Sequence, residues 1–180
     1  LAGRLLYLPI VKGMLTGCCF EVSGFEKNTY MITCFATCAA YPRDHLSFDL
    51  PFRLREGHGG DRWNIGGEKT ASEIPPAITV QALPFLKRMQ SPQAFAEEIL
   101  TGSRSIQSQR AAAVALASAG KDGHALAVIA DLISQLNSGV PWQAEIGSNL
   151  CKLSEELEAG NAASLLANWE RVSRERLKLI

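Results

Sequence analysis

An excess of charge of either sign is the first thing missing from this chain: eighteen basic and eighteen acidic side chains cancel over 180 residues. The two halves are nearly as balanced, with ten basic and eight acidic residues up to Gln90 and the reverse after it. A neutral chain has no long-range field to gather nucleic acid or anionic lipid, so neither is expected as a partner. The one basic cluster, Arg171, Arg174, Arg176 and Lys178, ends a helical segment, where cations complement the helix dipole and pair at i,i+4 with Glu170 and Glu175.

Long apolar runs are missing too. The run at residues 5–11 is far short of the ~20 residues that span a bilayer, so no membrane association is expected. A secretory signal would need a small-residue cleavage site where Lys12 and Gly13 instead lead into strand-like sequence. A cytoplasmic chain is expected, and the start at Leu1 rather than Met leaves room for residues upstream. Aromatic residues make up 7%, and Trp63, Trp142 and Trp169 are too dispersed for a base-stacking platform. The five cysteines, Cys18, Cys19, Cys34, Cys38 and Cys151, are an odd number in a chain large enough to fold without staples. They read as reduced, buried thiols. Cys34 and Cys38 lie about 13 Å apart along an extended strand, which one ion cannot bridge, so no metal or other cofactor is expected.

What is present is an ordinary globular composition, 47% apolar and 20% charged, with two regimes of periodicity. Residues 14–23 and 28–38 are rich in β-branched, aromatic and cysteine side chains and are joined by a turn around Gly24. In the second of these, apolar residues occupy both faces, which suits a central strand. Residues 46–54 alternate, with Leu46, Phe48, Leu50, Phe52 and Leu54 on one face, and Pro51 places this strand at an edge. Residues up to Val11 fit a short helix stopped by Pro9.

After a glycine-rich stretch at 56–69 the sequence reads helical. Thr70 and Glu73 resemble a capping box, a kink is expected at Pro84, and Ser91 followed by Pro92 is a strong helix start. Residues 103–109 form a polar link. Four helical segments then follow at 110–119, 124–137, 142–159 and 161–177. At an offset of forty, Ala119-Gly120 matches Ala159-Gly160 and Leu126-Ala127 matches Leu166-Ala167, as in two similar helical hairpins. The fold expected is α+β: an antiparallel meander of three to four strands in the N-terminal third, covered by helices, with a C-terminal helical-hairpin bundle. The division expected is 1–102 for the sheet with its covering helices and 103–180 for the bundle packed on it.

No motif specifies chemistry. There is no nucleophile elbow of the Gly-x-Ser-x-Gly kind, no phosphate-loop ending and no complete dinucleotide fingerprint. Polar residues concentrate in and beside the glycine stretch, where Arg53, Arg55, His58, Asp61, Arg62 and Trp63 fall close together and form the candidate ligand site. The function expected is a non-catalytic interaction protein whose partner is another protein, met through the helical tail or the glycine loop. The alternative is a small enzyme on a polar or anionic substrate, with His58 as base, Asp61 orienting it and the arginines holding negative charge. The exposed edge at 46–54 also admits pairing with a second copy of the chain.

Overall fold

The computed structural model describes residues 5–22, 28–56, 60–64, 68–102 and 105–179. Its architecture is α+β, an antiparallel sheet in the N-terminal part with helices following. Strands β1 (Leu5–Tyr7), β2 (Met14–Val22), β3 (Thr29–Cys38) and β4 (Leu50–Arg53) lie in chain order, and β5 (Trp63–Asn64) pairs with the start of β3. β3 is the central strand, buried on both faces from Ile32 onward, as its two-sided apolar pattern requires. Pro51 is exposed on β4, where its missing N–H costs no ladder bond.

Two expectations fail in the first third. Residues 5–7 are a strand, not a helix. A stretch interrupted by Gly3 and Pro9 is too short to nucleate a helix, whereas the edge of β2 supplies ready hydrogen-bond partners. That edge is approachable because residue 17 is glycine: a Cβ there would overlap the Leu6 carbonyl oxygen and lie 2.8 Å from Tyr7 Cα. The second correction concerns residues 46–54, of which only Leu50–Arg53 form a strand. Leu50, Phe52 and Leu54 pack on the helix-covered face, but Leu46 and Phe48 cross to the other face and cover Leu15 and Phe35. The Phe48 ring stacks on Phe35 with centroids 4.2 Å apart.

The helix-covered face is sealed by one long helical segment with a π turn inside it. Helix α1 (Glu68–Ala77) runs into the π turn (Ile78–Ala82) and then α2 (Leu83–Met89). Thr70 lies within α1 rather than capping it. The break expected at Pro84 is instead this widened turn, in which the Leu83 N–H reaches back to the Ile78 carbonyl. Proline lacks a donor and presses on the carbonyl four residues earlier, so one wide turn relieves both demands. Ala82 and Leu86 then pack on Cys18, Ile32, Cys34, Leu54 and Trp63.

Helix α3 (Pro92–Gly102) starts where Ser91 and Pro92 place it. Helix α4 (Ile106–Ser118) begins earlier than expected, capped by the Ser105 hydroxyl, which accepts from the Ser108 N–H at 3.1 Å. Its residues 111 through 117 are all buried, because α4 packs against β3, α3, α5 (Asp122–Gln135), α6 (Pro141–Glu158) and α7 (Ala162–Leu177). Alanine on every side is what lets neighbours approach such a helix all round. The two helical hairpins inferred from the offset of forty are present: α4 and α6 end at Ser118 and Glu158, and α5 and α7 begin at Asp122 and Ala162. Both turns close alike, with Lys121 N–H on the Leu116 carbonyl (2.9 Å) and Asn161 N–H on that of Glu156 (2.8 Å). Gly120 and Gly160 supply the left-handed residue this turn needs, at φ 68° and 73°.

Candidate functional site

Among the described residues, those singled out around the glycine stretch are placed apart from one another except for one pair. Arg53 and Asp61 do meet, in an ion pair of 3.0 Å between largely exposed side chains. The Arg53 hydrogen bond, aided by its charge, holds the Asp61 carboxyl below the usual carboxylate range. Arg55 is exposed, and its backbone is clamped on both sides by the Gln81 amide, which accepts from the Arg55 N–H (3.1 Å) and donates to its carbonyl (2.9 Å). Arg62 is exposed. Trp63 is fully buried, its indole N–H directed at the Leu54 carbonyl at 3.4 Å, so its ring serves the core and not a ligand. His58 lies outside the described residues. The loop is an excursion from one edge: Leu54 pairs with Ile32, the chain leaves, and Trp63 returns to pair with Tyr30.

A cavity of about 500 Å³ opens elsewhere, between residues 41–49, the start of α4 and the first turns of α6. Such a volume suits a small ligand or a peptide side chain. Its floor is set by Arg43 and Asp49, whose side chains are 4% and 5% exposed and 2.5 Å apart. Arg43 also donates to the Cys38 carbonyl (3.1 Å) and the Ser47 hydroxyl (2.7 Å), while Asp49 accepts from the Thr37 hydroxyl (2.6 Å) and the Cys38 N–H (3.1 Å). All three Arg43 nitrogens and the Asp49 Oδ2 are therefore used in fastening the 41–49 segment to the end of β3. The same burial pushes the Cys38 thiol up to about 12, the Arg43 charge offsetting part of the effect.

Tyr41 connects this segment to the helices. Its carbonyl accepts from the Ser173 hydroxyl (2.6 Å), its own hydroxyl accepts from the Asn149 amide (3.1 Å), and its ring meets Trp169 edge-on at 5.6 Å. Over the same ring, 4.0 Å from its centroid, lies the guanidinium of Arg110. Arg110 enters one turn after the Ser105 cap and differs from Arg43 in kind. Its Nε is buried without a hydrogen-bond partner, and no carboxylate among the described residues forms an ion pair with it. Burial draws its pKa below the usual arginine value; Tyr41 and the Asp49 charge oppose that shift, and the Arg43 charge adds to it. The guanidinium nevertheless stays charged, as arginine does in proteins.

Among the described residues no acid at the cavity forms an ion pair with Arg110, and Asp49 acts on it only through its charge. Asp49 is taken by Arg43, Asp44 pairs with Arg176 at 2.6 Å, and Glu145 is exposed at the mouth. Trp142, at the start of α6, is 46% exposed beside this opening. Trp169 joins the core. His45 lines the cavity from an exposed position. The arrangement can hold an anion against a fixed cation and an aromatic wall. The C-terminal arginines are engaged in ion pairs, Arg171 with Glu175 and Arg174 with Glu170, each at 2.7 Å.

Sequence reasoning missed this cavity because its walls come from three segments that look ordinary one at a time. One signal was present: Arg110 directly precedes the run from Ala111 to Ala117, so a charge begins a helix that is otherwise core. Among the described residues no cluster of His, Cys, Asp and Glu fits a metal ion, and no helix is long and apolar enough to cross a membrane. Compared with known proteins, the chain matches no protein-family model, no curated protein and no solved structure.

Proposed function

We propose that this chain is a non-catalytic binding protein, and that it holds another protein by an acidic group seated in the cavity at Arg110. The observation that carries the reading is the buried, unpartnered guanidinium nitrogen in the wall of an open 500 Å³ cavity. A buried guanidinium nitrogen without an acceptor lowers the stability of the free protein, and a carboxylate arriving from a partner offsets that penalty. Tyr41 holds the guanidinium from one side, and the cavity gives the carboxylate its approach. Trp142 at the mouth supplies a rigid apolar surface of the kind that anchors peptide contacts.

Binding rather than turnover is favoured because His45 is exposed and makes no hydrogen bond to an orienting carboxylate among the described residues. The test is a titration with short acidic peptides and their Gln/Asn counterparts, read by tryptophan emission. Trp63 and Trp169 are buried, so a saturable change reports Trp142. The acidic set is expected to bind at least about tenfold more tightly than the neutral set, and Arg110→Met to erase the difference. Equal binding of both sets, or an unaltered preference in Arg110→Met, overturns the reading.

A further inference from the structure

Cys18 and Cys34 face each other across β2 and β3 with sulfurs 3.3 Å apart. The ladder shows which kind of pair they form. The Ala39 N–H donates to the Gly13 carbonyl, so Gly13 and Ala39 are a hydrogen-bonded pair and, counting by twos, so are Leu15 with Thr37 and Gly17 with Phe35. On the other edge the Leu54 N–H donates to the Ile32 carbonyl, so even-numbered residues of β3 turn their backbone groups toward β4. Cys18 and Cys34 therefore occupy a non-hydrogen-bonded position, where Cα atoms approach to about 4.5 Å and side chains come closest. That separation lies inside the range a disulfide tolerates, and shortening 3.3 Å to a bond of about 2.05 Å asks for thiol rotation and not strand movement.

We infer that Cys18 and Cys34 are a modification site, a dithiol that closes to a reversible cross-strand disulfide with hydrogen peroxide as oxidant. The sulfurs are not equivalent. Cys18 is 6% exposed and Cys34 is fully buried, so Cys18 is the one a small oxidant reaches. The hydrogen bond from Cys34 favours the Cys18 thiolate and pulls its pKa down, while the Cys34 pKa is driven up by the same contact and by burial. This separates Cys18 from the inert behaviour expected of thiols in apolar strands. The Cys18 thiolate attacks one oxygen of the peroxide, the O–O bond breaks, and a sulfenic acid forms on Cys18 as hydroxide leaves and becomes water. Cys34 then loses its proton and attacks the Cys18 sulfur, the S–O bond breaks, and a second water departs as the S–S bond forms. Two thiols and one peroxide give one disulfide and two waters, with two electrons passing from sulfur to oxygen.

The pair sits under Ala82 and Leu86, where the π turn and α2 cover the sheet, so closure joins the two longest strands directly beneath that layer. The experiment uses the full chain carrying Cys151→Ser, because Cys151 is exposed and would react independently. The chain is treated with hydrogen peroxide, acid-quenched, unfolded, alkylated and mapped by fragmentation mass spectrometry. Cys18 and Cys34 are expected to leave the alkylatable pool together and in equal amount, the chain to lose two hydrogens, and dithiothreitol to restore both, while Cys19 and Cys38 stay alkylated. In Cys34→Ser, which keeps a hydrogen-bond donor beside Cys18, the linked product is expected to vanish and a dimedone adduct to collect on Cys18. The inference is overturned if Cys18 and Cys34 both stay alkylatable, if one is lost without the other, if the link involves Cys19 or Cys38, or if Cys34→Ser yields no Cys18 adduct.

Discussion

An arginine and an aspartate are joined at each end of β4, the first pair in the segment before it and the second between its last residue and the stretch that follows. Arg43 and Asp49, six residues apart, are 2.5 Å from each other and about 95% buried; Arg53 and Asp61, eight apart, are separated by 3.0 Å with 47% and 39% of their side chains exposed. The composition of the pairs is identical and their roles are opposite. In the first, neighbours add two further hydrogen bonds to each partner, and the pair fastens a segment that carries a cavity wall. In the second, solvent screens both charges and the pair adds little to stability. Burial, and not residue type, separates a built site from a solvated loop.

The comparison is broken most directly at Asp49. Asp49→Asn leaves the Arg43 guanidinium buried opposite a neutral group, and urea denaturation is expected to show a loss of about 3–5 kcal/mol. A loss below about 1 kcal/mol would place the buried pair in the same class as the exposed one. Arg110→Met comes next. It is expected to reduce acidic-peptide affinity by at least about tenfold while stability holds or rises, because a guanidinium whose Nε is buried without an acceptor is replaced by an apolar chain of similar length. A matching fall in stability and affinity would mean that Arg110 serves only packing.

Arg53→Ala is expected to change stability by less than about 1 kcal/mol, and by less still at high salt, where the Asp49→Asn loss persists. The smallest effect is the acid response of Asp61. Its carboxyl is held below its unfolded value, so the contribution is present above the ordinary carboxylate range and fades as pH falls through the lowered folded value. Denaturation midpoints from neutral pH down to pH 3 for the parent and Asp61→Asn should therefore converge at the acid end, with little separation above it. Midpoints that diverge on acidification would reverse the sign and remove Arg53 as the cause.

Much of the fold was legible beforehand, and the reasons differ by element. β2 and β3 were marked by β-branched and aromatic content, α3 by Ser91 and Pro92, and the two helical hairpins by matching Ala-Gly pairs forty residues apart. Residues 46–54 were misread although their alternation is real. Periodicity says which side chains point apart, but it assumes a straight backbone, and the Asp49 attachment to Thr37 and Cys38 bends the chain before Leu50. The π turn escaped for a related reason: Pro84 signals a disturbance without saying which relief the surrounding packing will allow.

The glycine stretch drew notice as a candidate site because its polar residues are neighbours in sequence, yet Trp63 turned inward and Arg53 found Asp61. The cavity residues Tyr41, Arg110 and Trp142 lie tens of residues apart, and none is unusual where it stands. Local pattern, charge balance and capping chemistry sufficed to establish an α+β chain with a central strand and paired helical hairpins, since those properties depend on near neighbours. Which charges lost their water, which thiols met across the ladder and where an opening remained depended on contacts between distant segments. Desolvation and proximity are properties of the packed molecule, and no window along the chain contains them.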